Sequence, residues 1–212
     1  MSINIIASVD KNNCIGCEND LLYDIIPDKK YFSQITKGEY YKKNKFNIVV
    51  MGKNTWESIP SNYKPLKDRI NIIISSSLYN RHYILYDNVF IFKTFNDFYE
   101  NISFSGYTGN IINFYNFNIN EIFIIGGSQV YKNIIDNYNI NKIYLTQITD
   151  NNKKIKDFIN PVYFPDINFQ NFTLIDSYEI NTGNYTTKYF DQSENIICNF
   201  SIFQSNSYIF TD

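Results

Sequence analysis

Six short apolar runs constrain what this chain can become: INIIASV (3–9), FNIVVM (46–51), RINIIIS (69–75), NVFIFK (88–93), EIFII (121–125) and KIYLTQI (142–148). None alternates strictly between apolar and polar, and their β-branched content is high. Each therefore reads as a strand buried on both faces, which is how strands sit in a mainly parallel sheet. Helix-like segments lie between several of them: PDKKYFSQI (27–35), NTWESI (54–59), TFNDFYENI (94–102) and SQVYKNIIDNY (128–138). Strands alternating with helices imply an α/β fold, a mainly parallel twisted central sheet with helices on both faces. The last third differs. FTLIDSYEI (172–180) and IICNFSIF (196–203), separated by a polar turn at NTGN (181–184), read as an antiparallel C-terminal hairpin that closes one edge of the sheet.

At 212 residues one core suffices, so a single domain over 1–212 is expected. The chain is 44% hydrophobic and 18% aromatic with a net charge of −2, a balance that excludes a disordered or nucleic-acid-coating protein. The opening MSINIIASVDKNN lacks the cationic and long apolar parts of a secretory signal, and no apolar run approaches a membrane span. A soluble cytoplasmic protein, with no nucleic-acid or membrane partner, is the expectation. Its three cysteines, Cys14, Cys17 and Cys198, fit reduced thiols better than a disulfide framework. The connections EYYKKNKF (39–46), with Lys42, Lys43 and Lys45, and NISFSGYTGNIINFYNFNIN (101–120) read as surface loops, and the second has no assignable role.

The Cys14-Ile15-Gly16-Cys17 stretch could be half of a zinc site, a thiol switch or an incidental loop. Structural zinc takes four ligands, usually two such pairs or Cys with His, and only Cys198 and His82 remain beyond the first pair, so no metal is expected. Asp28 is more informative. Pro27 suits the first turn of a helix, on which Asp28, Phe32 and Ile35 share one face. A carboxylate on an apolar stripe is pushed inward, where its pKa rises and a partner is needed; alternatively it complements an exposed helix dipole. Two strand-to-helix junctions suit phosphate. Ile125-Gly126-Gly127-Ser128-Gln129-Val130-Tyr131 exposes backbone N–H groups at a helix start, and Gly52-Lys53-Asn54-Thr55 does the same and adds a cation. Arg69 is one of only two arginines in a chain that otherwise uses lysine, which suggests a need for a planar, two-pronged donor to a carboxylate.

With these residues in place, the chain resembles dihydrofolate reductase over about residues 3–203. The motifs run in the family's order: IIASVDKNNCIGCEN, PDKKYF, VVMGKNTWESIP, RINIIISS, FIIGGSQVY, IYLTQI and VYFPDI. The resemblance implies NADPH-dependent reduction of 7,8-dihydrofolate to tetrahydrofolate, with dihydrofolate as substrate and thymidylate synthase as a possible fused or separate partner. It makes Ile15, Gly16, Glu18 and Asn19 part of a mobile loop over the nicotinamide, and Cys14 and Cys17 variable loop residues. It implies that Asp28 binds the pterin, that Thr146 links to the acid, and that Ile6, Ser8, Phe32, Ile59, Leu66, Ile125 and Tyr131 line the substrate pocket, with Arg69 on the glutamyl carboxylate. For NADPH it implies Ser8, Ile15, Gly16, Gly52, Lys53, Asn54, Thr55, Ser75, Ser76, Lys93, Gly126, Gly127, Ser128, Gln129, Val130 and Tyr131, with a cis Gly126–Gly127 bond. The family's Leu-Pro-Trp becomes Leu21-Leu22-Tyr23, so the Tyr23 hydroxyl is the expected stand-in for the lost indole N–H near the acid. The competing readings are a catalytically weak folate- or nucleotide-binding relative and the riboflavin-pathway reductase of the same fold, which lacks the acid at the first helix.

Overall fold

The computed structural model describes residues 1–38, 45–80, 86–103, 118–150, 160–187 and 190–208. In chain order the elements are β1 (Ile3–Asp10), β2 (Cys14–Cys17), β3 (Asp20–Leu21), α1 (Ile26–Lys37), β4 (Lys45–Gly52), α2 (Lys53–Ser58), β5 (Arg69–Ile74) and α3 (Ser76–Tyr79). There follow β6 (Val89–Phe92), α4 (Phe95–Ser103), β7 (Asn118–Ile124), α5 (Ser128–Asn137), β8 (Lys142–Thr149), β9 (Pro161–Tyr163), β10 (Phe172–Thr187) and β11 (Phe190–Ser205). All six apolar runs become strands. Most of the polar connections, 39–44 with Lys42 and Lys43 and 104–117, lie outside the described residues.

Eight strands form one sheet in the order β10-β11-β8-β1-β7-β4-β5-β6. The neighbours from β8 to β6 are parallel, whereas β11 runs antiparallel to both β8 and β10. The missing apolar–polar alternation has a direct cause. Ile3, Ile5, Ile48 and Val50 enter one core with Phe98 of α4 and Ile134 of α5. Ile6, Val49 and Met51 enter another with Tyr31 of α1 and Trp56 of α2. Both sheet faces are covered, so successive residues are apolar whichever way they point.

Two local expectations are corrected. NTGN is not the hairpin turn, because β10 and β11 continue past it; the register shifts on both sides of Gly183, whose φ is 70°. An Asn-rich stretch with a positive-φ glycine serves a β-bulge as readily as a reversal. Here the bulge is held by the Gly183 N–H donating to Asn181 Oδ1 at 2.9 Å.

The segment expected as a loop around Cys14–Cys17 is instead part of a three-stranded sheet in the order β3-β2-β9. Cys17 pairs with Asp20 across Glu18 and Asn19, whose φ values of 49° and 60° are those of a type I′ turn. Cys14 and Cys17 are strand residues whose side chains are buried in the core, not loop residues. Three residues apart, they would normally point to opposite faces. The register shift between Cys14 and Gly16 turns both inward.

Candidate active site

The sheet, α1, α2, the N-terminus of α5 and the β2–β3 hairpin enclose a cleft of about 1940 Å³. A single-ligand pocket is commonly about 300–1,000 Å³, so this cleft has room for two ligands side by side. Of the residues expected at the site, it brings together all but Tyr23 and the loop residue Glu18.

Asp28 enters from the first turn of α1, which begins at Ile26 and Pro27 without a side-chain cap. Neighbouring parallel strands bring Ser8 and Thr146 into register beneath it. Both hydroxyls face the Asp28 carboxylate and favour its charged form. Burial raises its pKa above the ordinary 3.8, while the Thr146 and Ser8 hydroxyls act in the opposite direction. The inward-facing alternative for Asp28 is therefore the one the structure adopts, with the half-buried side chain lining the cleft.

Ile6, Phe32, Ile59, Leu66 and Ile125 form apolar walls around this acid. Tyr131 is buried and donates its hydroxyl to the Ile6 carbonyl at 2.8 Å. Burial raises its pKa, and the Asp28 charge adds to the effect. The same two causes push the Cys198 thiol up to about 12. Arg69 is also buried: Nη1 donates to Thr36 Oγ1 at 2.7 Å and Nε to the Lys67 carbonyl at 3.0 Å. Its guanidinium lies 5.7 Å from the Phe32 ring centre. Burial lowers its pKa to about 10, opposed by Asp68, so it remains a cation at neutral pH.

At the other end two glycine turns pack together. The Gly126–Gly127 peptide is cis, and the Gly52 N–H donates to the Gly126 carbonyl at 2.8 Å. Gly126 has φ 109°, and a Cβ there would stand 3.1 Å from the Tyr131 ring. A Cβ on Gly127 would meet Thr55 Oγ1 at 3.3 Å. No side chain caps the N-terminus of α5, so its first amides are available to an anion. Lys53, Asn54, Thr55, Ser128, Gln129 and Val130 surround this end. Lys53 also pairs with Glu57 at 3.6 Å. Ser75, Ser76 and Lys93 extend it along the sheet edge, with Ser75 capping α3 through the Leu78 N–H at 3.2 Å. Ile15 and Gly16 approach from the β2–β3 hairpin. These groups suit a dinucleotide: a glycine cradle, open helix amides and cations for its phosphates.

Tyr23 does not line the cleft. It is 5% exposed in the core beside Leu22, and burial and its neighbours Asp150, Asp10 and Cys14 raise its pKa. Leu22 and Tyr23 both turn inward after β3, which leaves Leu21, 54% exposed, at the cleft. Leu21 was missed by the sequence reading, as were Ile26, Lys29, Tyr63, Val162 and Tyr163. Val162 and Tyr163 arrive by strand pairing with β2, which no local pattern reports.

A family model described as dihydrofolate reductase matches residues 2–195. The chain is 34% identical over 177 residues to the viral dihydrofolate reductase of Saimiriine herpesvirus 2, covering 83% of this chain and 74% of that one. It is 31% identical over 192 residues to the dihydrofolate reductase of Schistosoma mansoni, covering 88% and 90%. Against the bifunctional dihydrofolate reductase-thymidylate synthase of Plasmodium chabaudi it is 41% identical over 142 residues, 66% of this chain and 21% of that protein. An acid flanked by Ser8 and Thr146, a buried arginine and paired glycine turns thus stand within a match that spans most of the sequence: the chain belongs to the dihydrofolate reductase family.

Proposed function

We propose that this protein reduces 7,8-dihydrofolate to 5,6,7,8-tetrahydrofolate with NADPH, and that Asp28 is the group on which the reaction turns. The supporting observation is a single inward-facing carboxylate in a two-ligand cleft, flanked by the Ser8 and Thr146 hydroxyls. An aminopyrimidine edge offers two adjacent N–H donors, which a carboxylate accepts as a pair. Held there, Asp28 orients the pterin and favours a proton on N5, which makes C6 electrophilic. No other acid in the cleft wall has this burial; Asp20 and Asp24 are exposed, so water carries the proton to N5.

NADPH, when bound, supplies the hydride. Gly126, Gly127 and Ser128 with Lys53, Asn54 and Thr55 would hold its pyrophosphate, and Ser75 and Ser76 its adenosine 2′-phosphate. Ile15, Gly16 and Leu21 cover the reacting end and exclude water. Arg69, fixed by Thr36 and Lys67, takes the α-carboxylate of the glutamyl tail, and Phe32 and Leu66 pack on the ring that precedes it.

The product supports one-carbon transfer and nucleotide synthesis. The bifunctional relatives support thymidylate synthase as a fused or separate partner. A cytoplasmic location agrees with this role; among the described residues no helix is long and apolar enough to cross a membrane. The test is turnover: purified protein mixed with NADPH and dihydrofolate should bleach the nicotinamide absorbance. Tight binding of both without bleaching would leave a silent binding protein instead.

A further inference from the structure

Asn71 lies in the middle of β5 with no solvent exposure, on the sheet face where the next inward residue, Ile73, joins the apolar core. A buried amide is costly unless its hydrogen bonds are made, and this one spends them on a single segment. Its Oδ1 accepts the Leu66 N–H at 3.0 Å. Its Nδ2 donates to the Leu66 carbonyl at 3.0 Å and to the Arg69 carbonyl at 3.1 Å. Asn88 adds a second bond to the Arg69 carbonyl at 3.0 Å, and its own carbonyl accepts the Asn71 N–H at 2.8 Å.

The clamped segment has no regular secondary structure from Lys64 to Asp68, and Asp68 has φ 62°. It nevertheless carries Leu66 and Arg69, two cleft residues, and the Lys67 carbonyl that receives Arg69 Nε. Clamping Leu66 and Arg69 fixes the carbonyl between them, and that carbonyl sets the direction of the guanidinium.

We infer that Asn71, assisted by Asn88, is a positioning residue that aims Arg69 at the carboxylate tail of the substrate; the inference rests on the proposed dihydrofolate reading. Asn71 touches neither ligand and acts through Arg69. Its contribution is to substrates that carry the tail, and it leaves the pterin end and the cofactor end unaffected.

The experiment compares two substrates, dihydrofolate and 6-methyl-7,8-dihydropterin, which has the reacting ring and no tail. Asn71→Asp keeps the shape and the acceptor but removes both donors. The Michaelis constant for dihydrofolate should rise about tenfold, with kcat and the NADPH constant within about twofold, and 6-methyl-7,8-dihydropterin should be reduced as by wild type. In an Arg69→Leu background the same change should add nothing, because residues that act as a unit are not additive. Asn88 is only half-buried, so Asn88→Ala carries the test should Asn71→Asp not fold; it should show a smaller rise, about threefold, confined to dihydrofolate. Equal impairment on both substrates, or unchanged kinetics on dihydrofolate, overturns the positioning role. Wild type inactive on both substrates overturns the functional reading itself, and the inference with it.

Discussion

At Asp28 the needs of folding and of chemistry oppose each other. Burial raises its pKa above 3.8, so between that value and the folded-state pKa the native protein binds more protons than the unfolded chain, and stability falls as pH rises through this window. Asp28→Asn removes that cost. Thermal melts should show the variant more stable than wild type at neutral pH, with the difference closing toward pH 3.8. Its activity at neutral pH should drop by about 100-fold or more while NADPH affinity stays within about twofold. Arg69→Lys gives the second expectation at this scale: a Michaelis constant raised far more for dihydrofolate than for NADPH, because a point charge does not replace a planar fork. Asp28 and Arg69 were legible in the sequence through stripe position and rarity. The Ser8 and Thr146 positions became readable only with strand register, and Tyr23 misled because nothing local tells whether a side chain after β3 turns toward the cleft or into the core.

The hairpin that covers the cleft depends on Gly16. A Cβ there would stand 2.3 Å from the Asp20 carbonyl, a backbone atom that cannot swing aside. Gly16→Ala should therefore separate β2 from β3 and slow hydride transfer by about tenfold, with a smaller effect on dihydrofolate binding, as measured by single-turnover kinetics. Gly126→Ala should be worse, since φ 109° is itself unfavourable for alanine and the new methyl would meet the Tyr131 ring; a loss of stability of about 1–3 kcal/mol is expected by denaturant titration. Strands and helices were legible because apolar runs and helical spacing are local. The bulge at Gly183 and the strand character of Cys14–Cys17 were not. The same residues serve turn, loop or bulge, and pairing partners decide which.

For the whole molecule, two ligands must fit one cleft together. NADPH at about 100 times its Kd should add about 2.7 kcal/mol, or about 5–10 °C in Tm, and a folate should add its own increment on top. Scanning calorimetry with each ligand and with both would detect competition as a failure to add. An α/β sheet with an antiparallel edge was legible from the order of elements. The strand order, with β7 inserted between β1 and β4, was not, since it depends on contacts across more than a hundred residues. The same long-range pairing delivers β9 to the cleft. The central claim is that one inward-facing carboxylate, flanked by two strand hydroxyls, makes the pterin reactive. Single-turnover hydride transfer from pre-bound NADPH to dihydrofolate, in wild type and Asp28→Asn at neutral pH, measures it directly. A rate about 100-fold lower in the variant, with both ligands still bound, is the expected result, and equal rates would contradict the account.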